Sequence, residues 1–130
     1  MIICDTHPLI FDVLNPRELS VPALRAIESG YAAGELACAD ISLWEIAMLI
    51  EKGRIKVDME IAGFLNRMVL ARKIQVLPIT PTVAAIANSD AVPRGDLADR
   101  LIAATAITHG APLITRDKRL SNVPNLRTIW

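Results

Sequence analysis

Three carboxylates lie at the ends of apolar segments in the last third of the chain. The stretch 94–117 reads RGDLADRLIAATAITHGAPLITRD. Asp96 and Asp99 open an apolar segment that predicts a helix, Gly110 ends it, and Asp117 follows a short apolar run that predicts a strand. A fold that buries both segments brings these acids to one edge of its core.

Two further acids occupy comparable positions. Asp5 ends the apolar run at the N-terminus, and Glu45 lies within the apolar segment 41–52. Carboxylates crowded into one crevice raise one another's pKa and destabilise the fold unless a positive charge neutralises them. A divalent cation is a natural neutraliser, and an all-oxygen site without clustered His or Cys favours Mg²⁺ or Mn²⁺ over zinc. Such an ion polarises a phosphodiester and activates water for attack on phosphorus.

Each acid also has a purely structural explanation. Asp5 and Asp96 stand where helix N-caps are expected, and Asp117 fits an ordinary turn. Residues Ser42 to Glu45 have capping-box spacing, in which the glutamate side chain accepts from a backbone N–H at the helix start. The sequence leaves these alternatives open for each acid, and the conjunction of all five favours a shared site.

Basic and hydroxyl side chains stand close to the acids. The basic ones are Arg94, Arg100, Arg116, Lys118 and Arg119. They are candidates for contacts with substrate phosphates, above all Arg100 and Arg116, or else are surface charges and partners for the acids. Thr6 and Thr115 are candidates for orienting a carboxylate or water, the alternatives being capping and strand propensity.

Short apolar strands alternate with helical segments along the whole chain. Predicted strands cover residues 1–4, 36–38, 75–78 and 113–115, separated by helical patterns. This alternation predicts one domain, residues 1–130, with a central parallel sheet in an α/β/α sandwich. Segment 41–52 is apolar almost all round, so we predict a buried helix with Trp44 in the core.

The composition limits the function classes. Of 130 residues 52% are hydrophobic, and Lys plus Arg equals Asp plus Glu at 14 each, so no global positive field marks a nucleic-acid binder. Cys4 and Cys38 lie in apolar runs without zinc-ligand spacing, which favours a reducing cytoplasm. We expect no signal peptide and no membrane span.

Four motifs, in this order and spacing, resemble the PIN-domain ribonucleases and, within them, the VapC toxins of toxin–antitoxin pairs. They are ICDTH (3–7), ISLWEIA with KGRI (41–55), GDLADRLIAATA (95–106) and LITRD (113–117). The resemblance implies that Asp5, Glu45, Asp99 and Asp117 form an acidic quartet that holds Mg²⁺ or Mn²⁺. It adds Asp96 as a further acid and Thr115 as a supporting hydroxyl. Leu97 departs from the pattern, because proline is frequent there.

The resemblance further implies a homodimer, a cognate antitoxin whose C-terminal segment covers the active groove, and RNA cleavage that leaves a 5′-phosphate. The predicted function is therefore a metal-dependent endoribonuclease toxin of a type II toxin–antitoxin system. The alternative is a non-catalytic PIN-like protein that regulates by binding RNA or an antitoxin. A phosphate-binding α/β domain is disfavoured, because no glycine-rich turn follows the first strand.

Overall fold

Five parallel strands form the centre of the computed structural model, which describes residues 1–130. The strands are β1 (Ile2–Cys4), β2 (Leu36–Ala39), β3 (Gln75–Leu77), β4 (Leu113–Ile114) and β5 (Thr128–Ile129). They lie in the order β3-β2-β1-β4-β5, and every neighbouring pair is parallel. The predicted α/β architecture with a central parallel sheet is confirmed. The two-residue β5 was not predicted.

Six α-helices connect the strands. They are α1 (Thr6–Leu14), α2 (Val21–Ala33), α3 (Asp40–Glu51), α4 (Ile61–Ala71), α5 (Pro81–Ala87) and α6 (Leu97–His109). Ser20 caps α2 by accepting a hydrogen bond from the backbone N–H of Ala23, and Gly34 ends that helix in the left-handed conformation. None of the helices is long and apolar enough to cross a membrane.

Alternate strand residues pack into two separate cores. Ile3 and Leu113 belong to a core that includes the α6 residue Ile102. Their neighbours Cys4 and Ile114 belong to a second core, which includes residues of α1, α2, α3 and α4. Because side chains alternate across a strand, each face of the sheet is covered by its own helices.

The chain reverses its direction across the sheet next to β1. It runs outward from β1 through β2 to β3, and then returns through α5 and α6 to place β4 on the other side of β1. In open parallel sheets, the crevice beyond the carboxyl ends of strands at such a reversal is where ligands bind. Asp5 directly follows β1, and Thr115 directly follows β4.

Helix α3 differs from the prediction. Trp44 was predicted to lie in the core, and it is instead 58% exposed, so that prediction is wrong. Only Ser42 and Ile46 of α3 are buried, because α1, α4 and α6 cover the inner side of the helix and leave its outer side open. The helix begins at Asp40 rather than near Ser42, so Glu45 lies beyond the first turn. Ser42 and Glu45 therefore do not form the capping box that their spacing suggested.

One arginine joins three helices at the second core. Arg72, directly after α4, donates from Nε and Nη2 to both carboxylate oxygens of Asp12 on α1, at 2.9 and 2.8 Å. Nη2 also donates to Glu28 of α2 at 3.2 Å, and the guanidinium carbon lies 5.2 Å from the centroid of the Tyr31 ring. The Asp12 side chain is only 8% exposed, so this bidentate pair is largely shielded from water.

We expect Asp12→Ala to lower the free energy of unfolding by about 2 to 4 kcal/mol, because it leaves a partly buried guanidinium without its carboxylate. Glu28→Ala is the matched control. It removes an exposed partner of the same guanidinium and should cost less than about 1 kcal/mol. Urea unfolding followed by circular dichroism measures both, and equal losses would contradict the assignment.

The two cysteines lie side by side in the sheet. Cys4 of β1 pairs in register with Cys38 of β2, and both are buried free thiols in the second core. Burial raises the pKa of Cys38 to about 12 and raises that of Cys4 further above its ordinary range, with Cys38 adding to the shift. Both side chains act as small apolar groups in the sheet.

Candidate metal centre

Asp5 stands at the reversal point and is held from two sides. Its Oδ1 accepts a hydrogen bond of 2.7 Å from the backbone N–H of Thr6, which caps α1. Its Oδ2 accepts a 2.7 Å hydrogen bond from the Thr115 hydroxyl. Asp5 therefore caps α1, as its structural explanation predicted, and its carboxylate still lies at the edge of the crevice.

Thr115 and Thr6 are buried hydroxyl residues that fix neighbouring segments. Thr115 is 2% exposed, and its Oγ1 also accepts a hydrogen bond of 3.1 Å from the backbone N–H of Asp117. It thereby connects the acid after β1 to the acid after β4. Thr6 donates to Ser42 Oγ at 3.1 Å, which ties α1 to α3 one turn before Glu45.

Three of the predicted acids converge closely. One carboxylate oxygen each from Glu45, Asp96 and Asp99 can be chosen so that all three lie within 4.8 Å of one another. Asp96 is the N-cap of α6, where its Oδ1 accepts from the backbone N–H groups of Ala98 at 2.9 Å and Asp99 at 3.3 Å. The side chains come from α3 and from the start of α6, which contact each other.

Asp99 also faces the other two acids. Asp5, Asp99 and Asp117 line one pocket together with His7, Arg116 and Lys118. Asp99 therefore belongs both to the cluster with Glu45 and Asp96 and to the pocket with Asp5 and Asp117. All five predicted acids lie around one crevice, and all offer the hard oxygen donors that Mg²⁺ and Mn²⁺ prefer.

Arg119 lies among the acids. It was predicted either to contact a substrate phosphate or to be a surface charge or a partner for the acids, and it is a partner: its Nη2 donates to Asp117 Oδ2 at 2.8 Å and to Asp99 Oδ2 at 3.0 Å. Its Nε and backbone N–H both donate to Asp117 Oδ1, at 3.1 and 3.0 Å. The spacing of two residues after Asp117 was the only available signal.

The pKa shifts follow this distribution of charge. Burial raises the pKa of Asp5, Glu45 and Asp99, and neighbouring carboxylates raise each of them further. Hydrogen bonds from Arg119 lower the pKa of Asp117 instead. Burial and mutual repulsion therefore act against the charged forms of Asp5, Glu45 and Asp99, and a bound cation would relieve both effects.

The two arginines predicted to contact phosphates occupy different surroundings. Arg100 lines a small pocket with Asp96, Asp99 and Arg119, and its Nε is buried without a hydrogen-bond partner. The guanidinium of Arg116 lies 4.9 Å from the centroid of the Phe11 ring, on the side of the crevice next to Asp5.

The fold and the site together define an α/β protein with an acidic cluster at the reversal point of an all-parallel sheet. The PIN domain family model matches residues 2–126, and the chain belongs to the PIN domain family. The chain is 41% identical over 133 aligned positions to Ribonuclease VapC22 of Mycobacterium tuberculosis (strain ATCC 25618 / H37Rv), covering 99% of this chain and 98% of that relative. The resemblance to PIN-domain proteins of the VapC type is thereby confirmed.

Solved structures share the fold. VapBC2 from Rickettsia felis, bound to a DNA fragment from its promoter, contains a chain with a TM-score of 0.72 and 18% identity, covering 98% of this chain and 97% of that one. A toxin–antitoxin complex from Klebsiella pneumoniae contains another, with a TM-score of 0.62 and 22% identity, covering 97% and 95%. At these identities the likeness concerns the fold.

Proposed function

We propose that this protein is a metal-dependent endoribonuclease and the toxin of a type II toxin–antitoxin system. The observation that carries the proposal is the convergence of Glu45, Asp96 and Asp99 within 4.8 Å, in a crevice that Asp5 and Asp117 also line. Membership of the PIN domain family and 41% identity to a ribonuclease support the reaction class. We place the activity in the cytoplasm, where the proposed RNA substrate is found.

The proposed ion ligands are Asp5, Glu45, Asp96, Asp99 and Asp117. The ion is Mg²⁺, with Mn²⁺ as a substitute, and when bound it supplies Lewis-acid activation of the phosphodiester and of water. The quartet Asp5, Glu45, Asp99 and Asp117 carries the catalytic role, and Asp96 adds a further oxygen donor. Thr115 keeps Asp5 and Asp117 in fixed relative positions, since it bonds to both.

Substrate phosphates contact Arg100 and Arg116 in this proposal. Arg100 lines a small pocket with Asp96 and Asp99, and the Nε of this half-buried side chain has no hydrogen-bond partner in the protein, so its guanidinium is not held by an internal ion pair. Arg116 lines the pocket that holds Asp5, Asp99 and Asp117. The two guanidinium groups would hold the RNA strand next to the acids.

An antitoxin is the proposed protein partner. An apolar groove is lined by Ile10, Phe11 and Leu14 of the first helix together with Leu49 and Ile55, and it shares His7 with the acidic pocket. Arg54 and Lys56 also line this groove, so a segment with apolar and acidic side chains would fit there. We also propose a homodimer, supported by exposed apolar side chains on α2 and α4, among them Val21 and Leu70.

The test is cleavage of a labelled pool of structured RNA by the purified protein in Mg²⁺, in Mn²⁺ and in EDTA. We expect cleavage with either ion and none in EDTA. Asp58→Asn is the control, because this exposed acid lies in a separate pocket beside Lys56 and Arg67, and the variant should cleave like wild type. A folded protein that leaves every RNA intact in both ions, yet binds RNA, would instead favour the non-catalytic regulator.

A further inference from the structure

One side chain holds two of the five acids together. The Nη2 atom of Arg119 bridges Oδ2 of Asp99 and Oδ2 of Asp117, while its Nε and backbone N–H contact the other oxygen of Asp117. Both carboxylate oxygens of Asp117 and one of Asp99 therefore accept hydrogen bonds from the same residue. Such charge-assisted, bidentate contacts are the strongest class of hydrogen bond between side chains.

These contacts use three of the four carboxylate oxygens of Asp99 and Asp117. Each hydrogen bond from the guanidinium takes up one of the two lone-pair directions of its oxygen, so fewer directions are left for a cation. The positive charge of Arg119 also repels an ion bound to the same carboxylates. Arg119 and a divalent ion on these two acids therefore compete with each other.

The surroundings of Arg119 allow it both to bind and to leave. Asp117 is the N-cap of the 3₁₀ turn Lys118–Leu120, which fixes the backbone of Arg119 next to its partner. Gly95 makes room for the guanidinium, because a Cβ atom there would lie only 3.3 Å from Arg119 Nη1. The Arg119 side chain is nevertheless 59% exposed, so it can move into solvent without disturbing the core.

We infer that Arg119 is an internal counter-cation that occupies the Asp99 and Asp117 side of the centre in the ion-free protein and competes with the divalent ion for it. This inference rests on the proposed function, since it takes these acids to be ion ligands. Arg119 acts here as a positioning residue. It holds two carboxylates together before the ion arrives and sets the concentration of ion that the protein needs.

Calorimetric titration with Mn²⁺ in the absence of RNA tests the competition. We expect Arg119→Gln to bind Mn²⁺ about twofold to fivefold more tightly than wild type, the upper part of the range that an exposed ion pair spans. Lys118→Gln is the matched control. Lys118 is next to Arg119 in the chain but forms no ion pair with the acids. Its replacement removes the same charge, so it reports the long-range charge effect alone. Equal changes in the two variants would overturn the inference.

The Nε–H signal of Arg119 in ¹⁵N-resolved NMR gives a second readout. We expect slow exchange of this proton with water in EDTA and fast exchange with saturating Mg²⁺. Arg72 is the internal standard, because its Nε–H is bound to Asp12 and should stay protected in both conditions. Protection of Arg119 that persists with Mg²⁺ bound would contradict displacement.

The two measurements separate failure of the inference from failure of the proposed function. If wild type binds Mn²⁺ and Asp99→Asn weakens that binding, but Arg119→Gln matches Lys118→Gln, only the role of Arg119 is wrong. If wild type binds no divalent ion at all, the proposed metal centre is wrong, and the inference falls with it.

Discussion

Asp99→Asn should reduce the rate of metal-dependent RNA cleavage by about a hundredfold or more. Asp99 is the acid common to the cluster with Glu45 and Asp96 and to the pocket with Asp5 and Asp117. The amide keeps the shape of the side chain but loses the negative charge and one oxygen donor. The decrease should appear as a loss of cleavage rate at saturating Mg²⁺, with the secondary structure unchanged.

The same variant should be more stable than wild type when no ion is present. The pKa of Asp99 is raised in the folded protein, so between its ordinary and raised values the folded state binds more protons than the unfolded state. Stability from this group therefore falls as pH rises through that interval, and the charged form costs stability at neutral pH. Asparagine removes this cost, although it also gives up an exposed contact with Arg119.

Thermal unfolding in EDTA measures the difference. We expect Asp99→Asn to unfold about 2 to 5 °C above wild type at neutral pH. Below about pH 3, where the wild-type carboxyl is protonated in both states, the difference should disappear. A variant that is less stable than wild type at neutral pH would mean that Asp99 contributes more through Arg119 than it costs through repulsion.

Thr115→Val should damage both the stability and the activity. Valine has nearly the same shape, but it removes the donor to Asp5 Oδ2 and the acceptor for the Asp117 backbone N–H. Because Thr115 is 2% exposed, the two partners lose hydrogen bonds that water cannot easily replace, at a cost of about 1 to 3 kcal/mol. Misplacing two proposed ligands at once should lower RNA cleavage by about tenfold to a hundredfold.

Thr115→Ser is the matched control, because it keeps the hydroxyl and loses only a methyl group. We expect cleavage by Thr115→Ser within a few-fold of wild type and a smaller loss of stability than for valine. Urea unfolding and Mn²⁺ titration of both variants separate a folding defect from a defect in the site. Equal activity of the valine and serine variants would show that the hydroxyl positions neither acid.

The sequence predicted the sheet and the position of the acids because both depend on local signals. Apolar runs mark the buried strands, and the residues that follow a strand or begin a helix are fixed by the chain itself. Asp5 and Asp96 show that a capping role does not remove an acid from the crevice. Each caps a helix, and each lies at the crevice.

Contacts between distant segments were not predictable in the same way. Trp44 belongs to an apolar helix, but whether its side of the helix is covered depends on where α1, α4 and α6 pack. Arg119 reaches Asp99, which is 20 residues earlier in the chain, only after the 3₁₀ turn has oriented it. The strand β5 is only two residues long, too short to show the alternation of apolar and polar residues by which a strand is predicted.

The buried thiols of Cys4 and Cys38 are natural probes of how often the second core opens to solvent. They lie on adjacent central strands, are at most 1% exposed, and remain protonated at neutral pH. A thiol reagent can modify them only after β1 and β2 separate from the helices that cover them. The labelling rate in native buffer therefore measures how often the second core opens, without any introduced probe. An ion or an antitoxin that binds the folded protein would stabilise it and so slow the labelling of the two thiols.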